Sequence, residues 1–165
     1  MSDSTRYRLI SKHFVRPVKC AGREALSVDV VGLTLLAAEA FTDLAFFLRP
    51  AFLKRIRAII DDPRASDNDR FVAEAILQNA AIAAEGVLPL CQDTGSAQVI
   101  GYKGNRIVTD GRDEAALRSG LSDVYKLQNL RYSLMAPLSV FDEINTGTNL
   151  PAQIDLQAVE GSEYH

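Results

Sequence analysis

The sequence predicts an α+β fold, and three features of its patterning carry that expectation. Apolar and polar residues alternate with a period of two around Leu26–Val30 and again around Ile154–Ala158, as in half-buried strands. Four longer stretches repeat apolar residues every three or four positions, as in amphipathic helices, and Gly, Pro, Asn and Asp cluster between them. Helices packed on a mixed or antiparallel sheet follow, in a single domain or in part of a larger one.

Taken in order, Leu26, Val28 and Val30 alternate with Ser27 and Asp29, and the Tyr7–Val15 region is the expected pairing partner of this strand. From Leu33 the positions Leu36, Ala40, Leu44 and Phe47 define the inward face of a first helix that stops at Arg49-Pro50. Pro50 opens a second helix with Leu53, Ile56 and Ile60 inward and Lys54, Arg55 and Arg57 in water, ending at Asp61-Asp62-Pro63. Ser66 or Asp67 caps a third, with Phe71, Ala75, Asn79 and Ile82 on one stripe and closure at Glu85-Gly86. Residues 86–98 lose both periods and read as a loop. Gln98–Tyr102 and Arg106–Thr109 then read as two strands of a hairpin around Gly104-Asn105. A fourth helix spans about Asp113–Leu130 with Leu117, Leu121 and Val124 inward. Asn145–Pro151 makes a polar turn before a terminal strand.

The chain has 165 residues, 47% hydrophobic and 24% charged, which is enough apolar material for a core and excludes intrinsic disorder. A net charge of −3 is the wrong sign for neutralising phosphates, so nucleic acid is not an expected partner. Charges or prolines interrupt every apolar run short of the roughly 18 to 20 residues a spanning helix needs, which excludes membrane insertion. The opening MSDSTRYRLI has no apolar core of the kind export signals carry, so a cytoplasmic or matrix-like compartment is expected. Cys20 and Cys91 lie far apart without a CxxC or Cys/His cluster, so neither a disulfide framework nor a zinc module is indicated.

Chemistry concentrates in Cys91-Gln92-Asp93-Thr94-Gly95, in the loop between a helix and a strand. A thiol followed by an amide, a carboxylate and a hydroxyl offers a soft metal ligand or nucleophile beside hydrogen-bonding and proton-transfer groups, and a buried, inert cysteine is the alternative. Asn145-Thr146-Gly147-Thr148-Asn149 can cradle a carboxylate or a cluster, or form an ordinary surface Asx turn. Arg131, at a helix end, can grip a carboxylate through paired N–H groups or satisfy helix carbonyls. His13 and His165 are isolated, His165 reading equally as native or tag-derived, and Cys20 has no acidic or amide neighbour. None of the three is assigned a role.

The segments SDNDRFVAEAILQNAAIAAEG, GVLPLCQDTGSA, LRYSLMAPLSVFDEINTGTNLPAQIDL and AVEGSEY, in this order, resemble class I fumarate hydratase, the iron–sulfur fumarase. The likeness runs from about Tyr7 to Tyr164, with Ser96 where the family commonly has Thr. It implies that residues 1–165 are the N-terminal portion of the family's iron–sulfur catalytic domain, with the C-terminal domain absent. It implies a [4Fe-4S] cluster on three cysteine thiolates, Cys91 matching the first and Cys20 neither of the others. Gln92 and Asp93 match substrate-contacting residues, Asp93 handling the hydroxyl proton, and Arg131 matches a carboxylate ligand. The implied reaction is reversible hydration of fumarate to (S)-malate by a cytoplasmic homodimer. A tartrate or mesaconate hydro-lyase, or a non-catalytic assembly module of the same fold, is the alternative. With one matching thiolate, these residues alone are expected to hold no stable cluster and to be inactive.

Overall fold

The computed structural model describes residues 7–165. Among them the elements run β1 (Val15–Cys20), β2 (Arg23–Val28), α1 (Val30–Phe46), α2 (Pro50–Asp61), α3 (Asp67–Ala83), β3 (Gln98–Gly104), β4 (Ile107–Val108), α4 (Asp113–Leu127), β5 (Met135–Pro137), β6 (Glu143–Asn145) and β7 (Gln153–Val159). The class is α+β, with the strands in three small sheets of order β1-β2-β4, β3-β7 and β5-β6. The residues gather into two compact units, one built on Thr42–Gln92 and the other on Arg8–Phe41 with Asp93–His165.

The first unit is helical. Pro50 occupies the first turn of α2, where its missing N–H leaves nothing unsatisfied. Ser66 and Asp69 close a capping box at the start of α3: the Ser66 hydroxyl accepts the Asp69 N–H at 3.2 Å, and the Asp69 carboxylate accepts the Ser66 N–H at 2.9 Å. Arg70 then reaches back to the end of α2, donating from Nε to the Ile60 carbonyl at 3.2 Å and from Nη2 to the Asp62 carbonyl at 2.9 Å. These carbonyls belong to the last turn, which has no partners within its own helix. The stripe expected on α3 is not the buried one. Phe71 is 69% and Ile82 50% exposed, whereas Ala73 and Ala83 are buried. Ala73, Ile76, Ala80 and Ala83 share the same three-to-four spacing, so periodicity alone does not choose the face, and a line of alanines admits closer packing. The same correction applies to the face expected on α1: its Leu36 and Leu44, and Phe47 just beyond its end, are exposed.

The second unit holds the sheets. β1 and β2 form an antiparallel hairpin from Val15↔Val28 to Cys20↔Arg23. Its two-residue turn, Ala21-Gly22, has both residues in the left-handed region, at φ 48° and 77°. Of the expected partner region Tyr7–Val15, only Val15 enters the ladder. β2 pairs on its other edge, in parallel, with β4. The expected β3–β4 hairpin does not form: β3 pairs in parallel with β7 from Gln98↔Gln153 to Gly104↔Val159. The chain does turn at Asn105, but there the Asn105 and Arg106 amides donate to the carbonyls of Val159 and Gly161, at 2.8 and 2.9 Å. Gly104 admits this approach because a Cβ would lie 2.6 Å from the Gly161 oxygen.

Leu33 and Ala37 of α1 pack on Ala116 and Leu117 of α4, with Val99 of β3 and Ile154 and Leu156 of β7 against them. Leu121, Ala97 and Ala152 form a second cluster with Phe41 and Leu150. The two helices come within backbone contact at Gly120, where a Cβ would lie 2.3 Å from the Thr34 carbonyl oxygen. By length and composition the stretch Val30–Asp61, which contains an 18-residue window of mean hydropathy 1.7, is long and apolar enough to cross a membrane. The expectation that charges and prolines interrupt every such run therefore does not hold for α1, where only Glu39 and Asp43 intervene. Its Leu33 and Ala37 are buried against α4, while most of the apolar window stays uncovered.

Candidate functional site

The Cys91–Gly95 word lies in an irregular segment between α3 and β3. Gly86 ends α3 at φ 75°, a conformation glycine adopts without a Cβ clash, and Pro89 denies the segment a ladder donor. In the helical unit, two bonds hold the residue just before the cysteine. The Leu90 N–H donates to the Ala45 carbonyl at 2.8 Å, and the Asn79 side-chain amide donates to the Leu90 carbonyl at 2.9 Å. Asn79, expected on an apolar stripe, is thus the anchor of the cysteine loop. Cys91 is a free, exposed thiol, which removes the buried, inert alternative, and Gln92 beside it is also exposed.

The second unit holds the rest of the word. Asp93 is exposed and Thr94 half-buried. The Thr94 hydroxyl donates to the Arg131 carbonyl at 2.6 Å. Asn149, with none of its surface exposed, donates from one amide nitrogen to the same carbonyl at 2.8 Å and to the Thr94 hydroxyl at 3.3 Å. Its amide oxygen accepts the Leu134 N–H at 2.8 Å. Tyr125, buried on α4, donates its hydroxyl to the Gly95 carbonyl at 3.1 Å. Burial pushes the Tyr125 phenol above its ordinary pKa, and the side chain of Asn149 partly opposes that shift. Arg131 itself is exposed, and its guanidinium has no ion-pair partner among the described residues.

Within this unit the structure brings together the peptide of Arg131 and the residue that follows Asp93. The segment Asn145–Asn149 is the expected turn in part: the Asn145 side-chain oxygen accepts the Gly147 N–H at 2.8 Å, and the Thr146 hydroxyl accepts the Asn149 N–H at 3.1 Å. Asn149 is its buried end. Asn79 and Tyr125 carry no functional role in the sequence reading, and Thr94 enters it only as a hydroxyl beside the thiol. The one signal available for Asn79 was an amide interrupting an otherwise apolar helical run, and Asn149 is indistinguishable in sequence from its surface neighbours.

Away from this loop, Asp113, Lys103, Thr109 and Tyr164 form a closed network. Lys103 Nζ lies 2.8 Å from Asp113 Oδ2, to which the Tyr164 hydroxyl also donates at 2.9 Å, and Thr109 bonds both Lys103 and Asp113. Every member has partners, which suits a structural clasp. No group of three or more His, Cys, Asp and Glu side chains among the described residues is arranged to hold a metal ion. Cys20 and Cys91 are both free, exposed thiols; Cys20 ends β1, and Cys91, in the loop that matches the family's word, fits one corner of a cluster completed by other thiolates.

A sequence model of the family described as "Fumarate hydratase (Fumerase)" matches residues 34–165. The chain is 52% identical over 162 residues to "Fumarate hydratase class I, aerobic" of Escherichia coli (strain K12), covering 98% of this chain and 30% of that protein. It is 51% identical over 162 residues to "Fumarate hydratase class I, anaerobic" of the same strain, covering 98% of this chain and 30% of that protein. To "Fumarate hydratase 1, mitochondrial" of Leishmania major it is 50% identical over 162 residues, covering 97% of this chain and 30% of the relative. The chain belongs to the fumarate hydratase family, and it spans about 30% of the length of the curated relatives it matches.

Proposed function

We propose that this chain presents the first cluster thiolate and one carboxylate-binding arm of a class I fumarate hydratase, whose complete protein interconverts fumarate and (S)-malate. The observation that carries the reading is the Cys91–Gly95 word, free and exposed at its thiol and tied down on either side. Leu90 is bonded by Asn79 and Ala45, and Thr94 is bonded to the Arg131 peptide. Within the second unit, the bond from Thr94 to the Arg131 peptide holds the backbones of Asp93 and Arg131 without further ordering on binding.

Cys91 and two thiolates from outside these residues hold a [4Fe-4S] cluster, Cys20 taking no part. When bound, the cluster supplies an electron-accepting iron that helps hydroxide leave. Asp93 takes the proton of the adding water in hydration and returns it to the departing hydroxyl in dehydration. Gln92 donates an amide hydrogen bond to a substrate oxygen. The unpaired guanidinium of Arg131 grips one carboxylate with two parallel N–H groups, the arrangement for which its planar fork is suited. On the same family relationship the complete protein is read as a cytoplasmic homodimer, and these 165 residues alone are read as holding no stable cluster.

The test is a steady-state assay of the complete, anaerobically prepared protein with fumarate, mesaconate and tartrate in separate reactions. Fumarate is expected to give the highest kcat/KM. A higher value with either of the other acids would replace the fumarase reading with that of a related hydro-lyase.

A further inference from the structure

We propose that Asn149 is a positioning residue: its buried side-chain amide locks the peptide that carries Arg131 to Thr94, the residue next to Asp93, and so presets the spacing of the carboxylate grip and the proton-handling carboxylate. The inference rests on the reading of Arg131 and Asp93 as substrate-binding groups.

Asn149 is fully buried, and a buried amide left without partners destabilises the fold, so its bonds define what it does. All of them go to one place. Its nitrogen donates to the Arg131 carbonyl at 2.8 Å and to the Thr94 hydroxyl at 3.3 Å, and its oxygen accepts from Leu134 at 2.8 Å. The Thr94 hydroxyl donates to that same Arg131 carbonyl at 2.6 Å, closing a triangle among three residues far apart in the chain. The main chain around Asn149 is held in turn: its N–H donates to the Thr146 hydroxyl, and its φ of 53° is a left-handed conformation that asparagine tolerates better than most residues. Beneath the triangle the Tyr125 hydroxyl pins Gly95. The backbones bearing Asp93 and Arg131 are therefore fixed with respect to each other, while the Arg131 guanidinium stays exposed and free to bind.

Asn149→Asp keeps the shape and the acceptor for Leu134 but removes the N–H donors, and it sets a carboxylate oxygen against the Arg131 carbonyl. Thr94→Val removes the other donor from the same triangle at a half-buried position, and Thr94→Ser keeps it. In the complete protein, Asn149→Asp and Thr94→Val are expected to raise KM for fumarate about tenfold, the effect of a lost or reversed buried hydrogen bond on a binding geometry. The Kd for succinate, a saturated four-carbon dicarboxylate that cannot be dehydrated, should rise in parallel when measured by calorimetry. Thr94→Ser should recover most of the loss. A purely structural role would lower the folded fraction and hence the apparent kcat, leaving KM and Kd where they were. Unchanged KM and Kd in Thr94→Val overturn the inference even if Asn149→Asp cannot be recovered folded, and they leave the fumarase reading intact. A wild-type protein that does not hydrate fumarate overturns both.

Discussion

Asp113 is 7% exposed at its side chain, and in that setting a carboxylate is tolerated only when every lone pair is used. Burial raises its pKa. The hydrogen bonds from Lys103, Thr109 and Tyr164 and the charge of Lys103 outweigh burial and hold it below the ordinary 3.8. Tyr164 moves the opposite way: burial first, and then the hydrogen bond to the Asp113 carboxylate and its negative charge, push its phenol above the usual 10.0. A carboxylate with a depressed folded pKa adds stability that is present above 3.8 and is lost as the pH falls through the folded value. Asp113→Asn is accordingly expected to lower the unfolding free energy of the complete protein by about 2 kcal/mol at pH 7, the magnitude of a charge-assisted hydrogen bond. The gap between wild type and variant should narrow on acidification below 3.8. Denaturant titrations at neutral and acid pH measure both, and equal stability at pH 7 would contradict the clasp. Nothing in the sequence distinguishes Asp113 from the other acidic residues that open helices, because its partners come from β3, the β4–α4 connection and Tyr164, which bridges Lys103 of β3.

At the scale of elements, most helices and strands were legible, and their pairing was not. Pro50, Ser66 and Gly86 mark helix ends by local chemistry, and the structure places ends at or near them, with Asp69 completing a capping box on Ser66. The β3–β4 hairpin fails because a Gly-Asn turn signals only a reversal; the tertiary partners β7 and β2 decide where each strand pairs. The buried faces of α1 and α3 differ from those expected for a related reason: both helices are apolar on more than one side, so that on α1 Leu33, Ala37 and Phe46 are buried and on α3 the small Ala73 and Ala83 are. Gly120 is the sharpest case. Its α-carbon meets the Thr34 carbonyl of α1, and the Thr34 hydroxyl donates to the Ala116 carbonyl at 3.0 Å across the same contact. Gly120→Ala would improve helix propensity in isolation. Here it is expected to destabilise the complete protein by about 1–3 kcal/mol, since the added methyl forces the two helices apart. The thermal midpoint checks the sign, and a variant as stable as wild type would mean that α1 and α4 are less closely packed than described.

For the whole molecule, the groups proposed to do chemistry are more legible than those that hold them. Cys91, Gln92, Asp93 and Arg131 stand out because their residue types match a dehydration and because the surrounding words resemble one family, to which the chain belongs. Asn79 and Asn149 act through single carboxamides on distant peptides, and no spacing rule links position 79 to 90 or position 149 to 131. The claim that organises the molecule is that the exposed thiol of Cys91 is a cluster ligand. Replacing it with serine in the complete protein, followed by anaerobic reconstitution with iron and sulfide, tests this through metal content as well as turnover. Cys91→Ser should lose the brown iron–sulfur absorbance, most of the bound iron and essentially all fumarate hydration, while remaining folded. A variant that keeps wild-type iron stoichiometry and wild-type turnover would show that the thiol holds no cluster.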